Sequence, residues 1–206
     1  DALKATKNKL HQIAAAYQRG TPPYAQWLVD LRAAEGEADR QALCRQMMAA
    51  HASTRERLPI LVDFYTSLFA ALPQVRSVLD VACGLNPLAI PWMALPAGAT
   101  YVACDVYEDL TAFLNTAISL FGLAGEAYPC DVIGQPPGIE VDLALVLKTL
   151  PCLEQVDREA SSKLLRGIKA RYIAVSYPVT SLGGHAKGMT AHYRQRSMDL
   201  VADMDW

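Results

Sequence analysis

From Ser77 onward, short apolar runs alternate with longer amphipathic stretches. The runs at 77–81, 100–105, 126–130, 141–148 and 171–177 are rich in Val, Leu, Ile and Ala, as strands buried on both faces are. Between and after them, 107–121, 155–170 and the stretch from Tyr193 to Trp206 carry apolar residues at helical spacing. Repeated strand–helix units imply an α/β fold, a mostly parallel sheet with right-handed crossovers and helices on both faces. Ahead of Ser77 the pattern is helical throughout. Leu3, Leu10, Ile13, Ala14 and Tyr17 form one stripe over 2–19, which Gly20-Thr21-Pro22-Pro23 ends. Further helices are expected at 24–34 and 39–50. Another runs from Ser53 or Thr54, either of which can cap it with Glu56 in the first turn, to about residue 71. This divides the chain into a small N-terminal helical lobe, 1–50, and a main domain, 51–206. The lobe either docks a partner or only caps the main domain.

Charge changes the picture more than composition does. Apolar residues make up 52 % of the 206, enough for a full core. No apolar run approaches the roughly 18 residues of a membrane span. Cys44, Cys83, Cys104, Cys130 and Cys152 form no C-x-x-C and read as reduced, small apolar residues of a cytoplasmic protein. No signal-peptide pattern is present, and the start at Asp1 leaves room for a short leader. The net charge of −2 is segregated. Residues 1–57 are net positive, 58–159 strongly negative, and 160–197 hold seven bases (Lys163, Arg166, Lys169, Arg171, Lys187, Arg194, Arg196) and no acid. Basic segments flanking an acidic centre suggest a polyanion lying across the mouth of a site. A solvated helix face accounts for Lys163, Arg166 and Lys169, and less well for the three bases after the Gly-rich loop.

Candidate chemistry gathers at the strand ends, where ligands of such sheets bind. Strand 77–81 contains Asp80, and Ala82-Cys83-Gly84 then turns the chain with small residues before Asn86-Pro87, which can start a helix. Only Gly84 is a glycine, so a G-x-G-x-x-G pyrophosphate cradle is disfavoured and a phosphate-free adenosine cofactor is favoured. An ordinary buried strand and turn accounts for this stretch alone equally well. Asp105 after the second strand can accept both ribose hydroxyls, Asp131 after the third an adenine amino group, and Asp80 an ammonium or the turn itself. Together the three acids describe a site for S-adenosylmethionine, whose sulfonium suits an acidic centre. Mg²⁺ held by the same carboxylates is the competing reading, without a nucleophile motif or phosphate loop to support it.

Longer motifs then carry a resemblance. His51-Ala-Ser-Thr-Arg-Glu-Arg57, Val78-Leu-Asp-Val-Ala-Cys-Gly-Leu-Asn-Pro87, Cys104-Asp105-Val106, Asp131-Val132, Asp142 to Lys148, Leu150-Pro151 and Ser181-Leu-Gly-Gly-His-Ala-Lys-Gly-Met189 span most of the chain, and Leu10-His11 with Tyr17 matches in the lobe. The sequence resembles the aminoglycoside-resistance 16S rRNA (guanine-N7) methyltransferases of the Arm/Rmt and actinomycete-producer type. The resemblance implies a class I S-adenosylmethionine-dependent methyltransferase, Rossmann-like, with the lobe docking on the 30S subunit. It implies that His51, Ala52, Ser53 and Arg57 line the cofactor, with Arg57 on its carboxylate. Ala82 and Gly84 would give backbone contact, Asp105 and Val106 would meet the ribose, and Asp131 and Val132 the adenine, with Leu147 and Gln155 beside them. It places His185, Lys187 and Met189 by the RNA; Tyr193, as a stacking ring, and Arg194, as a base of the cationic segment, are read as RNA contacts with them. His185 stands where relatives often have Arg, a weaker partner near neutral pH. A sheet of this type has seven strands, so the closing ones are expected to lie outside these 206 residues.

Guanine N7 has an in-plane lone pair and needs no deprotonation. No catalytic acid or base is therefore expected, only positioning of an extruded base in line with the methyl–sulfur bond. A monomer is expected. The alternatives are a small-molecule or other RNA methyltransferase, which would need an apolar lid, and a non-catalytic RNA-binding module on the same scaffold.

Overall fold

The computed structural model describes residues 20–178, 189–202 and 204. The expected helix over 2–19 and most of the Ser181–Met189 motif, with the side chains of His185, Lys187 and Met189, lie outside the described residues. Among those described, five strands form one parallel sheet: β1 Ser77–Val81, β2 Thr100–Asp105, β3 Ala127–Pro129, β4 Glu140–Leu147 and β5 Lys169–Ser176, in the order β3-β2-β1-β4-β5. β1 and β2 coincide with the pattern-based expectation, and the other three shift by one or two residues at their ends.

Strand alternation sorts the side chains into two cores. Val78 pairs across the sheet with Tyr101 and Leu143, and all three join one core; Leu79 pairs with Val102 and Ala144, and these join the other. The first core is covered by α1 Tyr24–Ala33, α2 Glu37–Met48, α4 Leu61–Ala70, α5 Glu108–Leu120 and the 3-10 turns Asn86–Trp92. The second is covered by α6 Leu150–Glu154, α7 Ala160–Gly167 and Leu200 of α8 Met189–Val201. Asp80 has the parity of Val78, so it points into the first core and is fully buried there.

Two side chains act as backbone at the sheet's margins. Asn115 of α5 donates to Ala127 O at 2.8 Å and accepts from Ala127 N at 2.7 Å, completing the ladder of the edge strand β3. Asp142 accepts from Arg76 N at 2.8 Å, Ser77 N at 3.0 Å and Ser77 Oγ at 3.1 Å, tying the starts of β1 and β4.

Two helical expectations are corrected. The helix expected from Ser53 or Thr54 to 71 is broken into α3 Ala52–Arg55, a 3-10 turn Leu58–Ile60 and α4. Pro59 explains the break, because it lacks the N–H of a continuous helix and its ring would meet the Arg55 carbonyl. The cap is neither Ser53 nor Thr54 but His51, while Thr54 Oγ1 donates inward to Met48 O at 2.6 Å and His51 O at 3.1 Å. The helix expected over 155–170 is the shorter α7, preceded by α6; Asp157 Oδ1 instead accepts from Glu159 N at 2.9 Å in the intervening turn.

The described part of the lobe shares the main domain's core. Tyr24 stacks on Phe113 of α5 with ring centroids 4.9 Å apart, and Trp27 meets the same ring edge-on at 5.7 Å. Leu31, Cys44, Met47 and Met48 are buried beside it. Phe113→Ala is expected to lower stability by about 3–5 kcal/mol through the cavity left among these rings. A urea titration followed by tryptophan fluorescence checks this; a loss below about 1 kcal/mol would show that helices α1 and α2 rest only loosely on α5.

Candidate functional site

The ends of β1, β2 and β4 open into a pocket of about 830 Å³ including its mouth. Each strand contributes through its own turn. After β1, Ala82 and Gly84 take left-handed backbone angles, φ 50° and 51°, and Cys83 N donates to Cys104 O at 3.0 Å, which folds the turn against β2. A Cβ on Gly84 would sit 3.0 Å from His51 Cε1, so glycine serves both the angle and the close approach of the His51 ring. After β2, Asp105 accepts from Val106 N at 2.7 Å on Oδ1 and from Gly84 N at 2.9 Å on Oδ2. Burial raises its pKa, and the N–H groups of Gly84, Val106 and Tyr107 oppose that rise. After β4, Lys148 is itself left-handed at φ 61°, and Thr149 Oγ1 donates back to Val81 O at 3.2 Å.

Eight of the expected cofactor residues bear on this pocket or its turn: His51, Ser53, Ala82, Gly84, Asp105, Val106, Val132 and Leu147 line it. Ala52 is buried and does not line it. Asp131 does not line it; its Oδ1 accepts from Ile133 N at 3.1 Å and Gly134 N at 3.2 Å, capping its own turn, and it borders a separate hollow with Tyr128 and Gln135. Gln155 is exposed and donates to Pro151 O at 3.3 Å. The three strand-end acids therefore have three different surroundings, and no group of three possible metal ligands occurs among the described residues. Tyr107, Leu110, Cys130, Lys148, Thr149, Cys152 and Leu153 also line the pocket and were not foreseen. Tyr107 lies two residues after Asp105 and Lys148–Thr149 directly follow β4, positions that could have marked them.

Beneath the pocket lies a buried polar cluster. Asn86 Oδ1 accepts from Arg57 Nη1 and, at 2.6 Å, from Tyr65 OH, while its Nδ2 donates to Asp80 Oδ2 at 2.9 Å. Tyr101 OH donates to the same Asp80 oxygen at 2.7 Å. Arg57 is 4 % exposed and lies over the Phe64 ring at 5.2 Å. Its Nη2 and Asp80 Oδ1 have no hydrogen-bond partner among the described residues. Asn86, read from sequence as a helix start, is the centre of this cluster. Burial pushes the Asp80 carboxyl up to about 7 and the His51 imidazole down to about 4, the latter aided by Arg55, Lys148 and Arg57.

Of the residues expected on RNA, Tyr193 and Arg194 are described. Both lie on α8, where Tyr193 stacks on Tyr177 with centroids 4.9 Å apart and Arg194 is exposed. Arg196, one of the three bases after the Gly-rich loop, pairs with Glu154 at 3.1 Å, and Lys163 pairs with Asp157 at 3.2 Å and Glu159 at 3.0 Å.

This sheet order, with a pocket at the carboxyl ends of its strands, defines a Rossmann-like fold of the kind methyltransferases use. The fold matches the crystal structure of the 16S rRNA methyltransferase RmtF in complex with S-adenosyl-L-homocysteine at a TM-score of 0.75 and 30 % identity, covering 97 % of this chain and 75 % of that one. It matches the 16S rRNA methylase RmtB at 0.66 and 32 %, covering 94 % and 72 %. Among sequences, a Micromonospora echinospora protein is 41 % identical over 95 % of this chain and 73 % of its own length. A Serratia marcescens protein is 36 % identical over 93 % and 71 %. Both are named 16S rRNA (guanine(1405)-N(7))-methyltransferase. The chain belongs to the ribosomal RNA methyltransferase (FmrO) family, which it matches over residues 1–206.

The Asp80 carboxyl gives a pH signature. An unfolded Asp titrates near 4, so between about pH 4 and 7 the folded protein holds a proton that the unfolded chain has released. Its contribution is largest at low pH and falls as pH rises through that window. His51 acts oppositely between about pH 4 and 6.5, and its contribution is common to wild type and an Asp80 variant. Asp80→Asn is therefore expected to gain stability relative to wild type from pH 5 to 7, by on the order of 1–3 kcal/mol. Paired denaturant titrations check it, and a flat difference would remove the raised pKa.

Proposed function

We propose that this protein is an S-adenosylmethionine-dependent enzyme that methylates N7 of guanine 1405 of 16S rRNA within the 30S subunit, and so confers aminoglycoside resistance. The observation that carries the reading is the pocket itself: a turn with a single glycine, Gly84, whose N–H meets Asp105, in a chain of the rRNA methyltransferase family. The residues present fit the cofactor. Asp105 Oδ2 receives one N–H from the turn and keeps acceptor capacity for ribose hydroxyls. Val106, Leu110, Val132 and Leu153 offer apolar walls to a flat ring. Arg57, expected on the cofactor carboxylate, does not line the pocket; it donates to Asn86 in the buried cluster and keeps one donor nitrogen without a partner among the described residues. When bound, the cofactor supplies an electrophilic methyl on a sulfonium.

The chain's part is then positioning. Guanine N7 carries its own lone pair, so no side chain needs to remove a proton, and neutral His51 is not required as a base. Residues 1–50 act as the docking lobe, residues 51–206 as the transferase domain, and the bases Lys187 and Arg194 with His185, Met189 and Tyr193 approach the RNA. The setting is cytoplasmic, where ribosomal subunits are, and the protein acts as a monomer. Among the described residues, no helix is long and apolar enough to cross a membrane.

Incubation with methyl-labelled cofactor and either isolated 30S subunits or naked 16S rRNA tests the reading. Label is expected in the subunits, with borohydride-induced cleavage at guanine 1405; label in neither RNA would overturn it. Asp105→Ala is expected to weaken cofactor binding at least 10-fold by calorimetry, since it removes a charge-assisted ribose acceptor and frees the Gly84 turn. Unchanged affinity would remove Asp105 from the site.

A further inference from the structure

The sheet order assigns a second task to the end of β4. Reading β3-β2-β1-β4, the pocket passes from Val132 after β3, to Asp105 after β2, to the Ala82–Gly84 turn after β1, and then to Lys148 and Thr149 after β4. The groups suited to an adenosine lie on the β3–β2 side, so the acceptor base must enter on the other flank, over β4.

Lys148 occupies that flank in an unusual way. Its backbone is left-handed, φ 61°, at a residue that is not glycine, a conformation retained only where the surroundings enforce it. Two contacts enforce it here: Lys148 N donates to Ser176 O at 2.9 Å, and Thr149 is anchored to Val81 O. The side chain is mostly buried, and its ammonium donates to Ser53 O at 3.4 Å and forms an ion pair with Glu56. An ammonium has three N–H groups, so a third donor remains beside the pocket it lines.

Resting on the guanine-N7 reading above, we propose that Lys148 is the residue that recognises the target base, donating a hydrogen bond to guanine O6 while N7 is left open to the methyl group. The chemistry is selective. The N7 edge of guanine presents two acceptors, N7 and O6, whereas adenine presents a donor, the N6 amino group, in place of O6. A fixed donor at O6 therefore accepts guanine and rejects adenine. Methylation makes the ring cationic, and a bare ammonium alongside would oppose it. Glu56, paired with Lys148, offsets that charge, so the donor is supplied at little net positive potential.

The test uses full-length protein and 30S subunits reconstituted with guanine or 2-aminopurine at the target position, the latter keeping N7 and lacking O6. Subunit affinity without cofactor and the single-turnover methylation rate are both read. Wild type is expected to favour guanine subunits by ~10- to 100-fold, the range for leaving one buried charged donor without its acceptor. Lys148→Met, which keeps the side-chain length, is expected to lose that preference while binding S-adenosylmethionine within about 3-fold of wild type. Lys148→Arg, which keeps a donor, is expected to recover part of it. Retained guanine preference in Lys148→Met would overturn the inference, as would a variant that folds but loses cofactor affinity, since Lys148 would then belong to the cofactor. Absence of transfer by wild type to guanine subunits would instead overturn the guanine-N7 reading, and this inference with it.

Discussion

A guanidinium and a carboxyl group buried in one core must be compensated, and Asn86 compensates both. Its carbonyl oxygen receives Arg57 and Tyr65, and its amide nitrogen meets Asp80. An amide suits the task because it presents an acceptor at one end and donors at the other, which neither Asp nor Leu of similar size can do. Removing it would leave Asp80 with Tyr101 alone and take a hydrogen-bond partner from the buried Arg57, a change of the kind that costs about 1–3 kcal/mol per group left unpaired. The cluster also joins three pieces of chain distant in sequence: the segment bearing His51 and Arg57, strand β1 through Asp80, and strand β2 through Tyr101. All three reach the pocket, so its geometry depends on this one carboxamide.

The same segment serves both the cluster and the pocket. His51 packs on Gly84 and stays neutral because burial and three nearby cations disfavour its charge. Ser53 and Glu56 hold the Lys148 ammonium, and Arg57 turns inward to Asn86. Pro59 then stops the helix from running straight into α4, which lets residues 51–57 bend over the strand ends. The break that a helix-propensity reading misses is thus what places these side chains.

Elements whose signal is local were legible in the chain. β1 and β2 follow from apolar runs bounded by Asp and small residues, and Gly84 follows from the need for a close turn. Asp105 at a strand end was legible for the same reason. What depended on tertiary partners was not. Asn86 followed by Pro has the composition of a helix start, and nothing local shows that its amide faces Asp80 rather than solvent. Asp131 looks equivalent to Asp105 by position, yet its carboxyl caps its own turn. Lys148 gives no local warning of a left-handed backbone, since that angle is imposed by Ser176 and Thr149. Residue resemblance reached Arg57 without showing that its guanidinium is already engaged.

These engagements bear on how charge is arranged around the pocket. Counting bases along the chain suggested a free cationic segment after residue 160, but Lys163 and Arg196 are paired with acids, while Arg194 remains exposed on α8. The acidic centre is likewise not a uniform field. Burial raises the Asp80 pKa to about 7, Asp105 is held by backbone N–H groups, and Asp142 serves the opposite end of the sheet. Paired surface charges contribute little at long range, because salt screens them and their fields cancel. Attraction for a polyanion must therefore come from a few unpaired bases near the mouth, and discrimination from single directed donors inside it. That division separates binding, which tracks the phosphate backbone, from base choice, which tracks one or two hydrogen bonds.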